Sequence, residues 1–104
     1  MKSPVILIVG TVDTKSDEIG FMREQVLAAG GQALIMDVGV LAKGKVLPDV
    51  ANTDVAAAAG VTLQQVMNSG DENSAMALMA QGASLLATEM HREGQIDGLL
   101  VLGG

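Results

Sequence analysis

Residues 5–18 read VILIVGTVDTKSDE. The first five are apolar, mostly β-branched and unbroken by a polar residue, which is the pattern of a strand covered on both faces in a parallel sheet. After Gly10 the chain turns polar, and Ile19, Met22, Val26 and Leu27 then recur at helical spacing. This predicts a helix over 16–29, with Thr14 and Asp17 spaced as in a capping box and Gly30-Gly31 as its stop. Strand, polar loop, helix is the arrangement in which α/β proteins present backbone N–H groups to an anion.

Outward from that stretch the alternation continues. Gln32–Asp37 (QALIMD) is a second strand, completing a βαβ-like opening. Val38–Asn52 reads as an irregular connection containing Gly39, Gly44 and Pro48, and Asp49–Ala59 and Thr62–Met67 read as two short helical pieces around Gly60. The Ala56–Ala59 run suggests close packing on a short helix. Ser69 and Glu72 form a second capping-box pattern ahead of a long helix over 73–93, closed by Gly94. Along it Met76, Met79, Ala83, Leu86 and Met90 make a stripe at three-four spacing, read as core-facing, with a helix-pair dimer seam as the other reading. Gly98–Leu102 (GLLVL) is a third strand before Gly103-Gly104.

Alternating strands and helices predict an α/β, Rossmann-like three-layer sandwich with a short parallel sheet. Right-handed crossovers put the first strand in the middle, order 2-1-3. A crevice then opens at the carboxyl ends of the first and third strands, where the Gly10–Ser16 loop would face Gly103 and Gly104.

Composition narrows the partners. Phe21 is the sole aromatic residue, so the stacking platforms that hold single-stranded nucleic acid are missing. A net charge of −6 with six scattered basic residues opposes a phosphate-backbone partner. No nucleic acid is expected. The absence of cysteine excludes disulfides and thiolate metal sites. The apolar run at 5–9 is too short for a signal segment or a membrane span, which leads to the expectation of a cytoplasmic protein with no membrane partner.

The loop resembles no complete phosphate motif. Gly10 is followed by four residues and then Lys15-Ser16, so the second glycine of a Walker loop is missing, and Val12 and Lys15 stand where the dinucleotide fingerprint needs glycine. The underlying chemistry remains: Thr11, Thr14 and Ser16 carry hydroxyl donors, Lys15 a cation for a phosphate, and Asp13 a carboxylate able to hold Mg²⁺. Against this stands the reading that Asp13 and Thr14 cap the helix while Lys15 is solvated. Asp37, at the end of the second strand, is placed to accept ribose hydroxyls, or alternatively to bond the turn backbone before Gly39. Gly103 and Gly104 would let backbone approach a ligand closely. His91, the only histidine, sits near a helix end where it interacts with the dipole. No Ser/His/Asp pattern and no histidine pair points to catalysis. Asp71-Glu72 and Glu89/Glu93 read as a cap and a solvated face.

Taken in order, Gly-Thr-Val-Asp-Thr-Lys at 10–15, Asp-Val-Gly-Val at 37–40, Pro-Asp-Val at 48–50, Ala-Ala-Ala-Ala-Gly at 56–60 and the apolar Gly-Gly ending at 94–104 resemble the ATP-binding domain family of the tomato mosaic virus resistance protein. The resemblance implies a Rossmann-like domain binding ATP, with Gly10, Thr11, Asp13, Thr14, Lys15, Gly103 and Gly104 on the phosphate side and Asp37 on the ribose side. In family sequences the last motif reads Gly-Gly-Ser-Gly-Gly-Thr, of which Gly103 and Gly104 are the first two residues, so residues 1–104 are expected to be the N-terminal part of such a domain, with weaker ATP binding than the whole. A nucleotide-binding part of a larger protein is thus the first functional expectation. The alternatives are part of an enzyme acting on a small phosphorylated or carboxylated metabolite, or an interaction module using nucleotide as a structural ligand. Self-association is also expected, as a dimer covering the third strand or the Met76–Met90 stripe.

Overall fold

The structure, a computed structural model, describes residues 3–40 and 46–102. Its elements in chain order are β1 (Val5–Gly10), α1 (Val12–Ala28), β2 (Gln32–Asp37), α2 (Asn52–Ala58), α3 (Leu63–Met67), α4 (Glu72–Arg92) and β3 (Gly98–Val101). The strands form a parallel sheet in the order β2-β1-β3. Val5 aligns with Gln32 and Gly10 with Asp37 on one side of β1, and Ile6 with Gly98 and Val9 with Val101 on the other.

Period-two alternation divides the strand side chains between two cores. Leu7, Val9 and Met36 pack with Val55, Ala56, Val66, Met79, Ala83 and Ile96 beneath α2, α3 and α4. Ile8 and Ile35 point the other way and close against Val12 and Ile19 of α1. The sheet is therefore the middle of three layers, as the apolar runs predict.

Several boundaries differ from the sequence reading, each for a local reason. The α1 ladder starts at Val12, because Thr14 and Lys15 N–H groups donate to the Thr11 carbonyl at 3.1 and 2.8 Å. Lys15 then leaves helical geometry at φ −120°, ψ 23°, so Val12–Thr14 is a separate first turn and the continuous helix runs from Ser16 as expected. The Thr14–Asp17 capping box does not open α1: the N-cap ahead of Val12 is Thr11, without a side-chain cap bond. Ser69 does not cap α4; Asp71 does, its Oδ1 accepting from the Ser74 N–H at 2.7 Å. A capping box not among those expected from the sequence joins Thr62 and Gln65 at the start of α3.

Asp49 and Val50 are not helical because β2 recruits them. The Asp49 Oδ2 accepts from the Ile35 N–H at 2.8 Å, the Val50 carbonyl accepts from the Asp37 N–H at 3.0 Å, and Met36 and Val50 form a parallel bridge. The outer edge of β2 is thereby covered at Ile35 and Asp37. At the opposite end of α4, Gly94 takes φ +76° so that the Gln95 N–H can reach the Met90 carbonyl at 2.8 Å, a backbone state costly for any residue with a Cβ. No described helix is long and apolar enough to cross a membrane.

Candidate functional site

The loop after β1 and the loop after β2 are tied together by Asp37. One carboxylate oxygen accepts from the Val12 N–H at 3.1 Å and the Gly39 N–H at 2.8 Å. The Val38 N–H donates to the Gly10 carbonyl at 3.0 Å, and the Asn52 amide donates to the Gly39 carbonyl at 2.9 Å. Asp37 is 8% exposed, and burial, the largest influence, raises its pKa above the usual carboxylate value. The Gly39 and Val12 N–H bonds pull the other way, while the Asp13 charge adds to the rise. Of the two roles open to Asp37 in the sequence, bonding the turn backbone is the one these contacts describe.

Gly39 is a glycine for a reason of space: a Cβ there would lie 2.9 Å from both Asp13 carboxylate oxygens. The Asp13 side chain therefore rests directly on the second loop. Thr11 and Thr14 face each other, hydroxyl to hydroxyl, at 2.6 Å. The Ser16 hydroxyl instead donates to the Val12 carbonyl inside the helix. It stands outside the cleft lining.

Above these loops lies a cleft of about 930 Å³. Thr11, Asp13, Thr14 and Lys15 form its wall on one side, Val38–Val40 lie beneath, and residues of the α3–α4 junction close the other side. Met67, Met76 and Met79 join Val38, Val40 and Ala75 in its apolar lining, and Asp71 and Glu72 add two acids to Asp13. The first turn of α1 has spent most of its amides internally: Val12 on Asp37, and Thr14 and Lys15 on the Thr11 carbonyl. An anion in this cleft would be met by the Lys15 ammonium and the threonine hydroxyls more than by a cradle of backbone N–H groups.

The structure thus gathers Thr11, Asp13, Thr14 and Lys15 on one wall, with Gly10 and Asp37 directly behind them. Gly103 and Gly104 lie outside the described residues. The observed cleft stands over β1 and β2, where the sequence placed its crevice over the first and third strands. The contribution of α4 was missed. Met76 and Met79 read as a uniform core stripe, yet Met79 is buried while Met76 is 60% exposed and borders the cleft. The Asp-Val-Gly-Val at 37–40 held the signal for Gly39: a glycine two residues past a strand, after an acid able to bond its N–H. Among the described residues no group of three His, Asp or Glu side chains is arranged to hold a metal ion.

Comparison with known sequences settles the lineage. Residues 4–104 match the model of the N-terminal domain of UPF0261, described as an uncharacterised protein family. The chain belongs to that family. A UPF0261 protein of Brucella suis is 49% identical over 102 residues, covering 98% of this chain and 24% of the relative. One of Clostridium tetani is 30% identical over 99 residues, covering 95% of this chain and 24% of its own. The chain therefore spans about a quarter of the length of these UPF0261 relatives. No solved structure matches. The match to UPF0261 over nearly every residue overturns the resemblance to the tomato mosaic virus resistance family. The shared Gly-Thr-Val-Asp-Thr-Lys loop and glycine-rich ending misled because short strand-end motifs follow from the geometry of α/β sheets and mark a lineage poorly.

Proposed function

We propose that this UPF0261 domain binds a nucleotide, ATP as its magnesium complex, as one part of a longer cytoplasmic polypeptide. The observation that carries the proposal is the cleft at the carboxyl ends of β1 and β2, onto which the N-terminal ends of both α1 and α4 open. Open α/β sheets bind ligands at this end of their strands. Lys15 would take a phosphate as a point charge, with the Thr11 and Thr14 hydroxyls beside it. Met67, Met76 and Met79 supply an adaptable apolar wall for a flat base. Asp13, Asp71 and Glu72 would repel a bare polyphosphate, which is why the magnesium complex is proposed; Asp13, nearest the loop, would be its contact. The cleft's size also favours a nucleotide over a small sugar phosphate, since about 300–1,000 Å³ suits ligands of drug size.

Thermal unfolding with ATP, ADP, NAD and sugar phosphates, each with and without Mg²⁺, tests the reading. A ligand at about one hundred times its Kd adds roughly 2.7 kcal/mol to stability. ATP with Mg²⁺ is expected to raise the midpoint most. A midpoint unmoved by every nucleotide at millimolar concentration would reject the proposal.

A further inference from the structure

The two edges of the sheet are finished differently. On β2 the outward Ile35 N–H and carbonyl and the Asp37 N–H are engaged by Asp49 and Val50, with Pro48 just before them. On β3 no described residue bonds to the outer edge. The residues that usually blunt a free edge, lysine or proline or an inward-pointing charge, are missing from its Gly-Leu-Leu-Val sequence. Its side chains are as unfinished as its backbone. Leu99 and Val101 align with Leu7 and Val9, so they continue the face of the sheet that α4 covers. Yet Leu99 is 50% and Val101 65% exposed, where Leu7 is fully buried. A continuous apolar run is the pattern of a strand covered on both faces, and β3 is covered mainly on the α1 side, through Leu100 and Leu102.

We propose that the open side of β3 is an internal interface in the longer polypeptides of this family: a parallel strand from outside this domain pairs with its edge, and the helix of that crossover covers Leu99 and Val101. All strands here are parallel, and a parallel neighbour arrives by a crossover that itself supplies a helix. The relatives carry this domain in chains about four times its length. A tethered segment meets β3 at an effective concentration that a separate molecule reaches only in the millimolar range. That favours the same polypeptide over the second copy expected from the sequence.

Hydrogen exchange tests this on the 104-residue chain and on the full-length Brucella suis relative, each at low and high micromolar concentration. In the short chain the outward amides of β3 are expected to exchange freely at both concentrations. In the relative the corresponding amides are expected to be slower by about tenfold or more and as protected as those of β1 in the same molecule. Outward amides as fast in the relative as in the short chain would overturn the proposal. Protection that grows with concentration would also overturn it, assigning the surface to a second copy. If the short chain fails to fold, β1 and β3 within the relative decide: equal protection supports the proposal, and a β3 faster by about tenfold rejects it.

Discussion

The Asp37 carboxylate has little water around it and two backbone N–H groups against one oxygen. Burial disfavours its charged form more than those bonds favour it, and the neighbouring Asp13 charge pushes the same way. The folded state then holds the Asp37 proton more tightly than the unfolded chain does. Stability from this group is greatest on the acid side and falls as pH rises from the ordinary carboxylate value, about 4, to the raised one, then levels off. In urea unfolding between pH 4 and 7, wild type should lose stability with rising pH relative to Asp37→Asn. A difference that grows in the opposite sense would mean that the two N–H bonds outweigh burial. Lys15 makes the complementary prediction for binding. A bond to a charged group contributes about 1.5–3 kcal/mol, so Lys15→Ala should weaken magnesium-ATP about ten- to hundredfold. An unchanged Kd in calorimetry at moderate salt would leave Lys15 a solvated side chain.

Packing between helices turns on a different kind of constraint. A Cβ at Gly82 of α4 would overlap the Val55 carbonyl of α2, and backbone cannot step aside as a flexible side chain can. Gly82 lets the two helices approach closely beside the fully buried Ala56, whereas Ala57 of the Ala56–Ala59 run is exposed. Gly82→Ala should therefore destabilise by about 1–3 kcal/mol despite alanine's better helix propensity. In thermal unfolding that is a drop of about 5–15 °C, against little change for Ser84→Ala on the exposed face. A neutral Gly82→Ala would show that the helices can separate at no cost. Strands were legible in the sequence because buried parallel strands leave an unbroken apolar run, as at residues 5–9 and 33–36. Helix starts were less so. Thr14, Ser69 and Asp49 each carry a side chain suited to a cap, but which one bonds an amide depends on where neighbouring strands hold the chain. Asp49 went to the Ile35 N–H for that reason. The site was half legible: strand-end position marks Thr11–Lys15, whereas the α4 wall follows from tertiary placement that no local pattern encodes.

Across the whole sheet, burial falls from the central strand β1 to the edge strand β3. Leu7 and Leu99 are register partners on the same face, the first fully buried and the second half exposed. The energetic weight of the two leucines should differ accordingly, because deletion of a buried side chain loses transfer energy and leaves a cavity, whereas a half-exposed one leaves neither in full. Leu7→Ala should cost about 2–5 kcal/mol, a large share of the roughly 5–15 kcal/mol that holds a domain folded. Leu99→Ala should cost under about 1 kcal/mol in the 104-residue chain, close to the range of surface substitutions. Urea unfolding at two protein concentrations a decade apart measures both. If Leu99→Ala costs as much as Leu7→Ala at the higher concentration and loses that cost on dilution, a second copy is covering β3. If its cost stays small at both concentrations, the surface is open in this chain. That open surface is the condition under which a strand and helix from the longer polypeptide would have a place to dock.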